Sequence, residues 1–159
     1  MRHIFWALSF LFSLLVACNS GEPKMEYTDL MQHGIPIQIE APDSVQITTS
    51  DMGIQKDLVL KGEGGYNLQI FYSNAFRNQK DAVEEQKNIV KGGPFFKEFL
   101  QEDPKGFVYS LQLDSTLENY GFRYIVVKGG KEISIQPGMG GIYSREQVER
   151  LYNYAKNIK

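Results

Sequence analysis

Apolar and polar positions divide the chain into one nearly unbroken apolar block, Ile4 to Val16, and a longer stretch of short periods. Ile35-Pro36-Ile37-Gln38-Ile39 alternates and stops at Ala41-Pro42-Asp43, which predicts a first strand, with Pro36 pointing to a sheet edge. Val45 to Thr49 repeats the alternation. Asp57 to Lys61 and Tyr66 to Ser73 are β-rich runs joined by Gly62-Glu63-Gly64-Gly65, so an antiparallel meander is expected. The period then changes. From Asn78 to Lys91, Ala82, Val83, Gln86, Ile89 and Val90 share one side of a helical wheel, and Gly92-Gly93-Pro94 ends the helix. Lys97 to Glu102 and Phe107 to Leu113 flank the turn Asp103-Pro104-Lys105-Gly106, a second hairpin, although Glu98 to Leu100 also suits a short helix. Tyr120 to Lys128 and Lys131 to Gln136 around Gly129-Gly130 give a third. Its first strand carries Tyr120, Phe122, Tyr124 and Val126 on one face and Gly121, Arg123, Ile125 and Val127 on the other, so cover on both faces is expected. A last helix starts at Ser144, with Gln147 in capping-box position and Val148, Leu151, Tyr152, Ala155 and Ile158 at helical spacing. The fold class is α+β: an antiparallel β-sheet of six or seven strands packed with two main helices.

The apolar block changes the picture of where this domain works. A basic start, a run of thirteen residues that is apolar except at Ser9 and Ser13, and then polar sequence form a signal-peptide layout, and the run falls short of the roughly 20 residues that cross a bilayer as a helix. Leu15-Val16-Ala17-Cys18 resembles the lipobox of bacterial lipoproteins. That resemblance implies cleavage before Cys18, a diacylglyceryl group on its thiol and acylation, palmitate included, of the new amino group. Several acyl chains anchor stably where one binds marginally. Residues 1–17 are then a signal peptide, 18–33 the lipidated cysteine with a flexible polar tether, and 34–159 one domain. Asn19 stands where enterobacterial sorting places an Asp for inner-membrane retention, so the resemblance implies the outer membrane facing the periplasm, with surface display as the alternative.

Composition narrows the chemistry. The chain has 159 residues, nine Tyr and ten Phe, enough to bury one core. Loss of Arg2 with the signal takes the formal charge from −2 to −3, so no basic balance favours nucleic acid. Cys18 is the only cysteine and His33 the only histidine beyond it, which leaves no set for a disulfide, a Cys and His zinc site or thiol catalysis. No cofactor is expected.

The order of elements, from the isoleucine-rich opening strand and Ala-Pro-Asp turn to the helix at 78–91, the strand Lys131-Glu132-Ile133-Ser134-Ile135 and the terminal helix, resembles the PsbP-like family. The resemblance implies an αβα sandwich over residues 35–158 and an accessory or binding role, and carries no site residue across.

Candidate sites are few. Pro137-Gly138-Met139-Gly140-Gly141 before a helix, with Arg145 in its first turn, would present backbone N–H groups to an anion but lacks phosphate-loop spacing. Asp29 and His33, four apart, would meet on a helical turn without a second histidine to complete a metal site. Ser110 and Ser134 have only His33 as a base, and Glu84-Glu85 and Glu102-Asp103 read as solvated surface pairs. The stripe Tyr120, Phe122, Tyr124, with Phe107 and Tyr109 in the neighbouring hairpin, is either core packing or a groove for an apolar ligand. Lipidation of Cys18 is the one specified modification. The expected role is a lipid-anchored, non-enzymatic binding or accessory domain whose partners are the membrane and an envelope protein; a small carboxylate enzyme and an apolar-ligand carrier are the alternatives.

Overall fold

The computed structural model describes residues 23–159. Seven strands form one sheet: β3 (Gln46–Asp51), β4 (Gln55–Lys61), β5 (Asn67–Asn74), β6 (Phe96–Asp103), β7 (Gly106–Gln112), β8 (Glu118–Lys128) and β9 (Lys131–Pro137). Their spatial order is β3-β4-β5-β9-β8-β7-β6, and every neighbouring pair is antiparallel. The chain builds one edge and reaches the middle with β3-β4-β5. It then crosses through helix α1 (Gln79–Lys91) to the far edge and returns by β6-β7-β8-β9, where Ile135 pairs with Ile70. Helix α2 (Arg145–Lys156) follows, and a separate two-stranded hairpin, β1 (Met25–Asp29) with β2 (Gln38–Pro42), precedes the sheet.

Alternation along β8 sends its residues into two cores. Phe122 and Tyr124 pack with Val148, Leu151, Tyr152 and Ala155 of α2, and with Leu58, Leu60, Leu68 and Ile70 of the first meander. Ile125 on the opposite face packs with Phe107, Tyr109 and with Ala82, Val83 and Val90 of α1. The two helices therefore cover opposite faces. Phe107 and Tyr109 lie under α1 and not beside the Tyr120 stripe, because Val108 pairs with Phe122 and its neighbours point the other way. Ile89, expected on the buried stripe, is exposed: it is rotated about 100° from Val90, outside the stripe that Val83 and Val90 centre.

The opening strand is corrected most. Pro36 has no N–H to give a ladder, and Ile37 N–H donates to Ile35 while Ile37 C=O accepts from Leu30. The strand starts only at Gln38 and includes Ala41 and Pro42, so the turn moves to Asp43-Ser44. Its partner is β1, which occupies part of the expected tether; Leu30, Ile35 and Ile39 are fully buried, so burial of this hairpin against the sheet draws residues 25–33 into the domain. Glu98 to Leu100 is strand, with register shifts between Phe96 and Glu98 and between Phe99 and Gln101 that roughen the β6 edge.

Caps and turns follow the local sequence. Asn78 accepts from Asp81 N–H at 3.0 Å, and Ser144 and Gln147 form a reciprocal capping box. Gly129 and Gly130 take φ of 59° and 72°, the pair of left-handed values that a tight hairpin turn requires. Beyond Tyr124, β8 outgrows β7, and the Gln79 side chain substitutes for a strand there. Its amide donates to Ile125 C=O and accepts from Val127 N–H, both at 2.9 Å.

Candidate functional site

Three pieces leave a cavity of about 530 Å³ on the α2 side of the sheet: the loop ending β1's hairpin, the last turn of α2 and the β8-β9 hairpin. Its apolar wall is a consequence of strand alternation, since Tyr124 and Val126 of β8 and Ile133 of β9 share one face, and Ile37 and Ile158 close it. Five lysines also line it: Lys105 from the β6-β7 turn, Lys128 and Lys131 from either side of Gly129-Gly130, Lys156 from α2, and Lys159. No Asp or Glu is among its lining residues.

The electrostatics are unbalanced. Lys128 and Lys131 stand directly opposite each other across the hairpin, a like-charge pair that costs stability. Lys131 donates to Asn74 at 2.7 Å and lies over the Tyr72 ring, Lys156 lies over Tyr152, and Lys159 lies over Tyr27. Lys156 also suits the negative end of α2. The ammonium groups of Lys105 and Lys128 are exposed and, like those of Lys61, Lys80 and Lys91 elsewhere on the surface, have no ion pair, hydrogen bond or ring partner among the described residues. Tyr124 is only 6 % exposed, and its hydroxyl makes no hydrogen bond among the described residues. Burial, then the charge of Asp103, raises its pKa above the ordinary tyrosine value, which keeps the phenol a donor. Asp103 itself accepts from the Tyr152 hydroxyl at 2.5 Å and from Lys105 N–H at 3.2 Å. The arrangement can hold an anion beside apolar surface.

A second cleft, about 330 Å³, lies on the other face, where α1 leaves β4, β5 and β9 uncovered. Gln55, Phe71, Ser73, Ser134 and Gln136 line it. Its charges are matched: Arg77 donates to Glu132 through two nitrogens at 3.1 and 2.9 Å and also pairs with Glu85.

The residues singled out in the sequence fare differently. Cys18 lies outside the described residues. The Gly138–Gly141 loop is tied down at both ends, with Met139 and Gly140 exposed between them: Gly138 N–H donates to Asn67 C=O, Gly138 C=O accepts from the Tyr143 hydroxyl at 2.7 Å, and Gly141 C=O accepts from Asn119. Arg145 turns to Glu149 on its own helix. Asp29 caps Met31 N–H, and His33 meets Thr49 on the β3 edge, so they do not meet each other as a pair. Ser134 and Ser110 lie three and five strands from Thr49, about 14 and 24 Å at strand spacing, beyond a serine-histidine relay. Glu84 and Glu102 flank Lys87. Of the aromatic stripe, Phe122 is core, Tyr120 bonds Glu118, and Tyr124 alone reaches the cavity.

The lysine set does not stand out in the sequence because its members lie up to 54 positions apart. Local signals exist in Lys128-Gly129-Gly130-Lys131 and Lys156-Asn157-Ile158-Lys159, where cations bracket a turn and a helix end. No helix of the described residues is long and apolar enough to cross a membrane, and no group of three or more His, Cys, Asp or Glu among them is placed to hold a metal ion. No family model matches the chain, and no curated protein or solved structure is significantly similar to it.

Proposed function

We propose that the chain is a cell-envelope lipoprotein, held at the outer membrane by acyl chains on Cys18 and facing the periplasm, whose α+β domain is a non-enzymatic binding module. The observation that carries the binding role is the cavity at the end of α2, where five exposed lysines rim an apolar wall that holds the unpartnered Tyr124 hydroxyl. The Leu15-Val16-Ala17-Cys18 run supports the anchor, and two helices on opposite faces of an antiparallel sheet agree with a PsbP-like αβα layering.

Anchor and cavity are compatible in space. Six residues separate Cys18 from Met25, so covalent geometry keeps β1's start within about 25 Å of the lipidated residue. Pro23 sits beside Gly64 in the β4-β5 turn, and β1 runs from there towards Ile37 and the cavity. The cavity lies at the end of β1 opposite Pro23, on the described part of the domain farther along the chain from Cys18.

Replacing Cys18 with Ser tests the anchor: the precursor is expected to stay uncleaved or to leave the membrane fraction, with loss of incorporated palmitate. Unchanged size and unchanged membrane partition would refute it. Co-purification of the intact protein from membranes is expected to bring a small molecule or an envelope protein with it, and that association is expected to weaken when Lys105 and Lys128 are both changed to Gln.

A further inference from the structure

We infer that the lysine-lined cavity binds a single-chain amphiphile with an anionic head, a carboxylate or a phosphate monoester. Its volume of about 530 Å³ lies within the range of about 300–1,000 Å³ usual for small-molecule sites. The two halves of its lining ask for different parts of one ligand. Ile37, Val126, Ile133, Ile158 and the Tyr124 ring offer a continuous apolar wall, which favours an alkyl chain over a sugar or a nucleotide base edge. Lys105 and Lys128, unpartnered, and Lys131, which donates to Asn74, supply hydrogen-bond donors with positive charge, and no Asp or Glu side chain is among the lining residues, the nearest acid, Asp103, being held by the Tyr152 hydroxyl. Tyr124, largely buried in the same lining, adds a neutral hydroxyl donor.

Lys128 faces Lys131 across the hairpin, and these exposed cations raise the local positive potential at the rim, which an anion relieves. A purely inorganic anion would leave the apolar wall wet. A neutral apolar molecule would leave the ammonium groups uncompensated. An anionic head on one alkyl chain satisfies both. The inference rests on reading the domain as a binding module and is independent of the anchor on Cys18.

The test uses the full chain reconstituted in phosphatidylcholine nanodiscs, with empty discs as the correction for partitioning. Radiolabelled laurate in equilibrium dialysis is expected to bind saturably, near one per protein, and at least tenfold more tightly than dodecanol of the same chain length. Raising the salt from 50 to about 500 mM is expected to weaken it severalfold, because rim charges are screened. Lys105→Glu with Lys128→Glu is expected to weaken laurate at least tenfold while the circular dichroism spectrum and melting point hold, since both side chains are exposed and their loss relieves repulsion. The milder Lys128→Gln serves if the double variant misfolds. Lauroyl lysophosphatidate is expected to compete, and the tighter of the two ligands names the head as carboxylate or phosphate. Dodecanol binding as well as laurate, full displacement of laurate by inorganic phosphate alone, or indifference to charge reversal would overturn the inference. Membrane release of Cys18→Ser with no laurate binding would leave the anchored reading standing without this one; laurate binding with Cys18→Ser still in membranes would do the reverse.

Discussion

Tyr152 offers the sharpest test of how α2 is held to the sheet. It is 1 % exposed, its ring lies 5.3 Å from Phe122 and 6.1 Å from Tyr124, and its hydroxyl donates to Asp103 at 2.5 Å. Tyr152→Phe removes the hydrogen bond and keeps the ring. A hydrogen bond to a charged group contributes about 1.5–3 kcal/mol, but Asp103 is half-buried and can turn to water, so a loss of about 1–2 kcal/mol is expected. Tyr152→Ala also removes the ring and leaves a cavity between α2 and β8, adding about 3–5 kcal/mol. The total, about 4–7 kcal/mol, approaches the whole stability of a domain this size. At about 3–5 °C per kcal/mol, the Phe variant should melt about 3–10 °C lower and the Ala variant should be largely unfolded near 37 °C. Trp6 is the only tryptophan and precedes Cys18, so far-ultraviolet circular dichroism in urea is the appropriate signal. If Tyr152→Phe proves as damaging as Tyr152→Ala, or Tyr152→Ala costs under 2 kcal/mol, ring packing does not fasten α2 and the reasoning fails.

Four further outcomes follow from the same geometry. Gln79→Ala strands Val127 N–H and Ile125 C=O at the outgrown part of β8 and should cost about 1–3 kcal/mol, read as lower urea midpoint and faster amide exchange at Val127. Gly121→Ala places a Cβ 2.5 Å from the Tyr109 ring under α1 and should destabilise by about 1–3 kcal/mol in the same melts. In a double-mutant cycle, Arg77→Met and Glu132→Gln together should cost less than the sum of the two alone, by about 1 kcal/mol, because Arg77→Met leaves the Glu132 carboxylate uncompensated in a largely buried place, whereas Glu132→Gln leaves Arg77 with Glu85 as its remaining partner. Burial raises the Tyr66 and Tyr152 phenols above the ordinary value near 10, with Asp103 adding to the rise at Tyr152. Their folded forms therefore hold the proton longer than the unfolded chain does, the associated stability is complete below about pH 10 and falls as pH rises beyond it, and Tyr152→Phe should flatten that fall in alkaline urea titrations.

The periodic parts of this fold are legible in the sequence. Alternation in Asp57 to Ser73 and in Tyr120 to Gln136, the Gly129-Gly130 turn and the Ser144 capping box each rest on interactions within a few residues, and each appears where the sequence places it. The departures cluster where distant groups decide. Ile35-Pro36-Ile37 has the pattern of a strand, yet its backbone bonds with Leu30 and with its own neighbours, and β2 pairs with a segment whose weak pattern suits a tether. Ile89 matches the helical period, but α1 covers only part of the sheet and leaves that side without a neighbour to bury it.

The sequence alone determined the α+β class, the two helices, the hairpins and the lipobox-like Leu15-Val16-Ala17-Cys18, since short-range periodicity, turn chemistry and a contiguous motif are written in neighbouring residues. Tertiary structure alone decided the strand order, the docking of β1 and β2 over the core, and the meeting of Lys105, Lys128, Lys131, Lys156 and Lys159 around one apolar wall. The physical reason is range. Backbone propensity acts over a few residues, whereas electrostatic crowding and cavity shape depend on which segments, up to 54 positions apart, the packed sheet brings together.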